Sequence, residues 1–182
     1  MKTRYSHLLL FAFAGCMFAT SCLKDDELVD WKKAKEITVI ELPYTSHSRV
    51  ATNQVPTANY TFAGLLVNCC AVYASDIKAD ISVGLAVDAN LLATYNTNNG
   101  LDGTTDAKQP YILMPSTAFS LPSVVTISAG VREAEFDVPV NTSGLVPGVK
   151  YLIPIVITNV PAPYTISRNF GMLYLRVDMR AL

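Results

Sequence analysis

The chain has 182 residues, 14 Lys and Arg against 15 Asp and Glu, a formal net charge of −1 and 51% hydrophobic residues. That length suits one domain with a substantial core and leaves little room for a second. No basic stripe is present to grip phosphates, so nucleic acid is excluded from the expected partners.

Lys2 and Arg4 form a positive n-region, and Leu8 to Phe18 form an apolar stretch. At about a dozen residues the stretch is too short to cross a hydrocarbon layer of about 30 Å as a helix. Residues 1–21 therefore read as a secretory signal peptide, in preference to an uncleaved anchor. Ala19, Thr20 and Ser21 place small residues ahead of Cys22, as a lipoprotein signal peptidase needs, so Cys22 is expected to carry lipid as the first mature residue. Cys16 is the rival, but it would leave Met17 and Phe18 at the mature start; Cys22 puts the change in polarity at the cleavage point. Each buried acyl methylene contributes about 0.8 kcal/mol, so several chains hold a protein at a membrane without spanning it.

Residues 22–36 follow as a charged tether with few apolar residues, Trp31 being its one aromatic residue. Trp31 either docks on the domain or touches the membrane interface, and both readings stand. Fully extended, about fourteen residues reach about 45 to 50 Å. Within the tether, Lys24, Asp25 and Asp26 resemble the short export signal of Bacteroidetes surface lipoproteins. The resemblance implies the outer face of the outer membrane as the location.

The mature chain would hold 161 residues, with twelve basic against fifteen acidic residues, a formal charge of −3. His7 leaves with the signal, so His47 is its one histidine. That excludes a zinc site built on two or three imidazoles. His47 lies among Thr45, Ser46 and Ser48 and reads as an exposed loop histidine.

From Ile37 to Leu182 the pattern is strand, turn, strand. Cys69 and Cys70 are adjacent and lack metal or redox spacing. They read as two small buried hydrophobes, with a strained vicinal disulfide as the alternative. Ile81, Val83, Leu85 and Val87 alternate with small or polar residues, the period of a half-buried strand. Asp88 to Tyr95 reads as a short helical turn capped by Asp88, with Leu91, Leu92 and Tyr95 facing inward. Asn99-Gly100, Asp102-Gly103 and Pro147-Gly148 mark turns. Val124 to Ser128 and Ala134 to Val140 form an expected hairpin across Ala129-Gly130. In the second arm Glu133, Glu135, Asp137 and Pro139 occupy the wet face, and Pro139 points to a sheet edge. Tyr151 to Thr158 is apolar on both faces and suits an interior strand, although Pro154 asks for a bulge or an edge. Leu173, Leu175, Val177 and Met179 form the last buried face. The expected fold class is all-β, an antiparallel β-sandwich with one short helical turn.

Four segments now occur in order: VDANLLATYNTNNG from Val87, YILMP from Tyr111, VVTISAG from Val124 and YLIPIVI from Tyr151. Together they resemble the N-terminal domain-of-unknown-function family of Bacteroidetes surface lipoproteins, over residues from about Ile77 to Val160. The resemblance implies an immunoglobulin-like sandwich, usually followed by a glycoside hydrolase, a lectin-like domain or another carbohydrate-binding module. It implies an accessory role in glycan capture, with a glycan or outer-membrane glycan-uptake proteins as partners besides the membrane. Here the sequence stops after the sandwich.

No catalytic constellation is expected. A glycosidase needs two carboxylates facing one sugar, whereas Glu133, Glu135 and Asp137 read as solvated charge on one strand. No cofactor is expected. A calcium site from Asp102 and Asp106 has no recognisable ligand loop behind it, so no metal is expected. Sugar binding asks for exposed rings beside amides, and Tyr95, Asn96, Asn98 and Asn99 are the candidates. The competing reading is packing for Tyr95 and turn formation for the amides. The alternative function is a structural adhesin or fimbria-like subunit that pairs strand edges, although Pro139 and Pro154 blunt such edges.

Cys22→Ala is expected to abolish metabolic labelling with a fatty acid and to release the protein from membranes, while Cys16→Ala leaves both unchanged. Replacing Lys24, Asp25 and Asp26 by Ala should keep the label but lower protease accessibility on intact cells; unchanged accessibility would refute surface export.

Overall fold

In a computed structural model of the chain, residues 38–43, 49–56, 58–71 and 73–181 are described. Cys16, Cys22, Lys24, Asp25, Asp26, Trp31 and His47 lie outside the described residues. A compact unit spans Lys35–Leu182. Its strands are β1 (Val39–Glu41), β2 (Arg49–Gln54), β3 (Tyr60–Cys69), β4 (Ile81–Val87), β5 (Ile112–Leu113), β6 (Val124–Ile127), β7 (Glu133–Val140), β8 (Lys150–Asn159), β9 (Thr165–Ile166) and β10 (Met172–Met179). Among the described residues the α-helix is α1, Leu91–Asn98.

The strands form two sheets. The smaller runs β7-β3-β1-β9 and the larger β2-β10-β8-β4-β6, with β5 also on β8. The fold class read from the sequence, an all-β sandwich, is the one observed. Its long pairings are antiparallel, but β1·β9, β2·β10 and β5·β8 are parallel, so neither sheet is wholly antiparallel. Period-two alternation builds the core: Phe136, Val138 and Val140 of β7 are buried against Leu173, Leu175 and Val177 of β10 and Ile81, Val83 and Leu85 of β4 in one cluster. Each such side chain contributes about 1.5–3 kcal/mol relative to exposure.

β8 is the central strand of the larger sheet, as its two apolar faces require. Tyr151, Ile153, Ile155 and Ile157 face the sandwich core, and Leu152 faces a second, outer cluster. Pro154 is neither at a bulge nor at an edge, which corrects the sequence reading. The Leu152 carbonyl accepts from Met114 N at 2.9 Å and the Pro154 carbonyl from Asp88 N at 3.0 Å. A strand residue presents its nitrogen and oxygen on the same side. The donor that Pro154 lacks would therefore point into the gap between the ends of β5 and β4. The bulge in β8 falls at Thr158, between the pairs Leu85–Ile157 and Gly84–Asn159.

Pro139 does lie on an edge strand, since β7 ends the smaller sheet. The hairpin across Ala129-Gly130 is not formed: β6 pairs with β4, and β7 pairs with β3 in the other sheet. The turn is real, with Gly130 at φ 76°, but its bonds run elsewhere. Gly130 N donates to the Ile77 carbonyl at 2.8 Å and Ala129 N to Asp80 Oδ1 at 2.9 Å. These contacts carry the chain across the sandwich. A turn signal fixes a reversal of direction, not the partner of the strand that follows.

The helix starts three residues later than Asp88 and runs three beyond Tyr95. Asp88 Oδ1 accepts from Asn90 N at 3.0 Å, closing an Asx turn before the helix and not capping its first turn. Leu101 N donates to the Asn96 carbonyl at 2.9 Å and Gly100 N to the Thr97 carbonyl at 3.1 Å, with Gly100 at φ 63°. That is a Schellman motif, so Asn99-Gly100 is the helix stop.

Gly171 lies where β10 begins and accepts from Ile157 N at 2.9 Å. A Cβ there would sit 2.6 Å from the Ser167 carbonyl oxygen, a backbone atom with no rotamer to yield. Gly171→Ala is expected to destabilise by about 1–3 kcal/mol, read as a lower urea midpoint at constant slope; an unchanged midpoint would refute this close approach.

Candidate ligand-binding site

The four residues picked out for sugar contact are together in sequence, and the structure gives three of them work inside the fold. Tyr95, 7% exposed, joins Tyr111 and Leu152 in the outer cluster. Its ring meets Tyr111 edge-on at 5.6 Å and Tyr174 at 4.7 Å, so it is not an open stacking platform. Burial raises the Tyr111 phenol above its ordinary range, helped by a hydrogen bond with Asp178, and burial raises Tyr174 as well. Asn96 donates to the Tyr111 carbonyl at 2.9 Å and accepts from Tyr111 N at 3.0 Å. Asn99 donates to the Tyr95 carbonyl at 2.8 Å. Asn98 is exposed.

Asp102 Oδ1 accepts from Thr104 N at 3.0 Å and from its hydroxyl at 2.7 Å, and Oδ2 lies 3.6 Å from Lys108 Nζ. The Thr104 bonds hold this carboxyl below the usual carboxylate range. Among the described residues no group of three or more His, Cys, Asp or Glu could hold a metal ion.

Cys69 and Cys70 are both free. Cys69 is buried in the core, but Cys70 is exposed, which corrects the expectation of two buried thiols. The period of two turns neighbours to opposite faces, so one thiol enters the sandwich and the other lies outside it. Cys70 Sγ is 3.5 Å from Asn68 Nδ2, which also donates to Glu41 Oε1 at 2.9 Å.

The site with room for a ligand lies elsewhere. β6 and β7 each end a sheet, and together they flank an open side of the sandwich. Between them runs a cleft of about 520 Å³, lined by Ser120, Pro122, Val124, Thr126, Glu135 and Asp137 over a floor of Val125 and Phe136. Val124 is 53% exposed. A second cleft of about 410 Å³ shares Ser120 and Pro139 with the first and adds Asn59, Tyr60, Thr61, Phe119 and Asn141. The segment between them is pinned to β7: Ser120 N donates to the Pro139 carbonyl at 3.0 Å and Asn141 N to the Ala118 carbonyl at 2.8 Å. Asp137 Oδ1 accepts from Gly64 N at 2.9 Å, holding the β3 bulge where Gly64 has φ 65°. Glu133 and Glu135 are exposed, as solvated charge should be. The groove thus sets hydroxyls, amides and carboxylates beside half-buried rings, a mixture that suits a polyhydroxylated ligand. Sequence reasoning missed it. Pro139 signalled one edge, but which two edges face each other across the layers depends on the whole topology.

A family model described as a “-like, N-terminal domain” matches residues 34–163. The chain belongs to this N-terminal-domain family of Bacteroidetes. No curated protein matches the chain. Among solved structures, the family fold recurs in a candidate carbohydrate-binding protein of Bacteroides ovatus, 15% identical with a TM-score of 0.57, covering 78% of this chain and 37% of that one. A Bacteroides ovatus protein of unknown function is 17% identical with a TM-score of 0.58, covering 80% and 45%. A two-domain Bacteroides fragilis protein of unknown function is 13% identical with a TM-score of 0.58, covering 86% and 50%. The chain therefore spans half or less of the length of these three relatives in fold.

Cys70 is exposed as a residue, but desolvation of its sulfur, with the Glu41 carboxylate beside it, pushes the thiol up to about 12. The thiolate is the reactive form, so alkylation by iodoacetamide at pH 8 should run on the order of a hundredfold slower than for a free thiol. The rate should climb as pH approaches 12. Glu41→Gln removes the neighbouring charge and is expected to speed the reaction at pH 8; peptide mapping that shows ordinary thiol kinetics in the unaltered protein would contradict this.

Proposed function

We propose that the protein is a lipid-anchored module on the outer face of the outer membrane that holds glycan chains without cleaving them. The observation that carries this reading is the cleft between β6 and β7, lined by hydroxyls and carboxylates, together with the adjoining cleft along β3 and β7 that adds the amides Asn59 and Asn141. Kinship adds support, since a carbohydrate-binding candidate shares the fold. Cys22 and the Lys24, Asp25 and Asp26 signal supply the anchor and the address in this reading. Asp137 is committed to Gly64, which speaks against a pair of free carboxylates working on one sugar. Among the described residues no helix is long and apolar enough to cross a membrane.

A second reading rests on β6 itself. Val124–Ile127 pairs with β4 along one side only, and Val124 stands out to solvent. An extended strand from another protein could add to that edge, as in an adhesin or fimbria-like subunit. The β7 edge suits this less, because Pro139 and the pinned segment 118–120 blunt part of it.

Affinity electrophoresis of the detergent-solubilised full chain through gels containing different polysaccharides separates the two. Retention by at least one polysaccharide is expected, and Thr126→Trp, which fills the groove from an exposed position, should weaken it about tenfold with the urea midpoint unchanged. Retention by none, together with concentration-dependent oligomers in light scattering, would replace glycan holding by strand pairing.

A further inference from the structure

The charges around the groove restrict which glycan it takes. Glu135 and Asp137 are the two acidic residues of the first cleft, and the second cleft has none. No Lys or Arg lines either one. Further along, the Arg132 guanidinium donates to the Ala71 carbonyl at 3.3 Å and lines a separate hollow with Glu133. One oxygen of Asp137 is occupied by Gly64 N, but its charge remains, so a ligand in the groove meets a negative field from one wall.

Building on the glycan reading of this groove, we propose that it selects by charge: it takes uncharged chains, takes chains bearing protonated amines more tightly, and takes uronate-rich or sulfated chains less tightly. Glu135 is the specificity-determining residue, because it is exposed on the wall and, unlike Asp137, supports no bulge. Exposed carboxylates act through solvent, so the preference is modest, about three- to fivefold, and shrinks as salt shortens the Debye length.

The test uses the full chain in detergent, with galactomannan as the neutral probe, glycol chitosan as the amine-bearing probe and polygalacturonate as the anionic probe. Glu135→Gln should weaken retention by glycol chitosan about threefold and leave galactomannan within about twofold. Glu133→Gln, outside the groove, should change neither, which separates the groove from the protein's overall negative charge. The Glu135→Gln effect should fade in 0.5 M salt, and polygalacturonate should retain the unaltered protein at least about threefold more weakly than galactomannan does. Retention by polygalacturonate as strong as by galactomannan, or equal shifts from Glu133→Gln and Glu135→Gln, overturns charge selection and leaves glycan holding intact. Retention by none of the three probes, nor by any polysaccharide of the wider set, overturns both.

Discussion

Everything in this sandwich is arranged around β8, a strand that is apolar on both faces. A sheet strand ordinarily needs cover on one side only, with the other left to water. β8 needs cover on both, and the two sheets supply it on one side through Tyr151, Ile153, Ile155 and Ile157. On the other side Leu152 is covered by Tyr95 and Tyr111, with Leu92, Leu101 and Tyr174 packed around them. The helix α1 and the long connection to β5 exist in this position because that outer surface must be dry. The amides around them follow from the same demand. Asn96 satisfies the Tyr111 backbone and Asn99 closes the helix end, both beside a buried aromatic cluster.

The same architecture leaves one side open. β6 and β7 finish opposite sheets, and the turn between them is tied to the 77–80 segment and not folded into a hairpin. Had that hairpin formed, the two strands would pair and no groove would separate them. The functional candidate is therefore a consequence of a crossing connection. Polar groups at its rim cost the core little, since they lie on the wet phases of two alternating strands.

Much of the fold is legible in the sequence because burial writes itself in period two. Phe136, Val138 and Val140 announce one buried face, and Leu173, Leu175, Val177 and Met179 another. Pro139 announces an edge because a missing donor is tolerated only there or in a gap. Pro154 shows the limit: its gap is made by where β4 and β5 stop, which local sequence does not encode. The helix starts later than Asp88 suggests because Asp88 can serve an Asx turn as well as a cap, and only the Schellman bonds at Gly100 fix the end. The site was the least legible part. Tyr95, Asn96 and Asn99 have the composition of a sugar site, yet the same residue types close helices and fill small cores. The groove residues Ser120, Thr126 and Glu135 look ordinary in sequence and become neighbours only through topology.

The central claim is that ligand is held between β6 and β7 and not on the polar loop beside α1. Hydrogen–deuterium exchange of the full chain, with and without the polysaccharide that retains it best, tests this most directly. Slowed exchange confined to peptides covering 59–61, 118–126 and 133–141 is the predicted result. Slowed exchange confined to residues 91–111, with the β6 and β7 peptides unchanged, would contradict it and return the site to the loop.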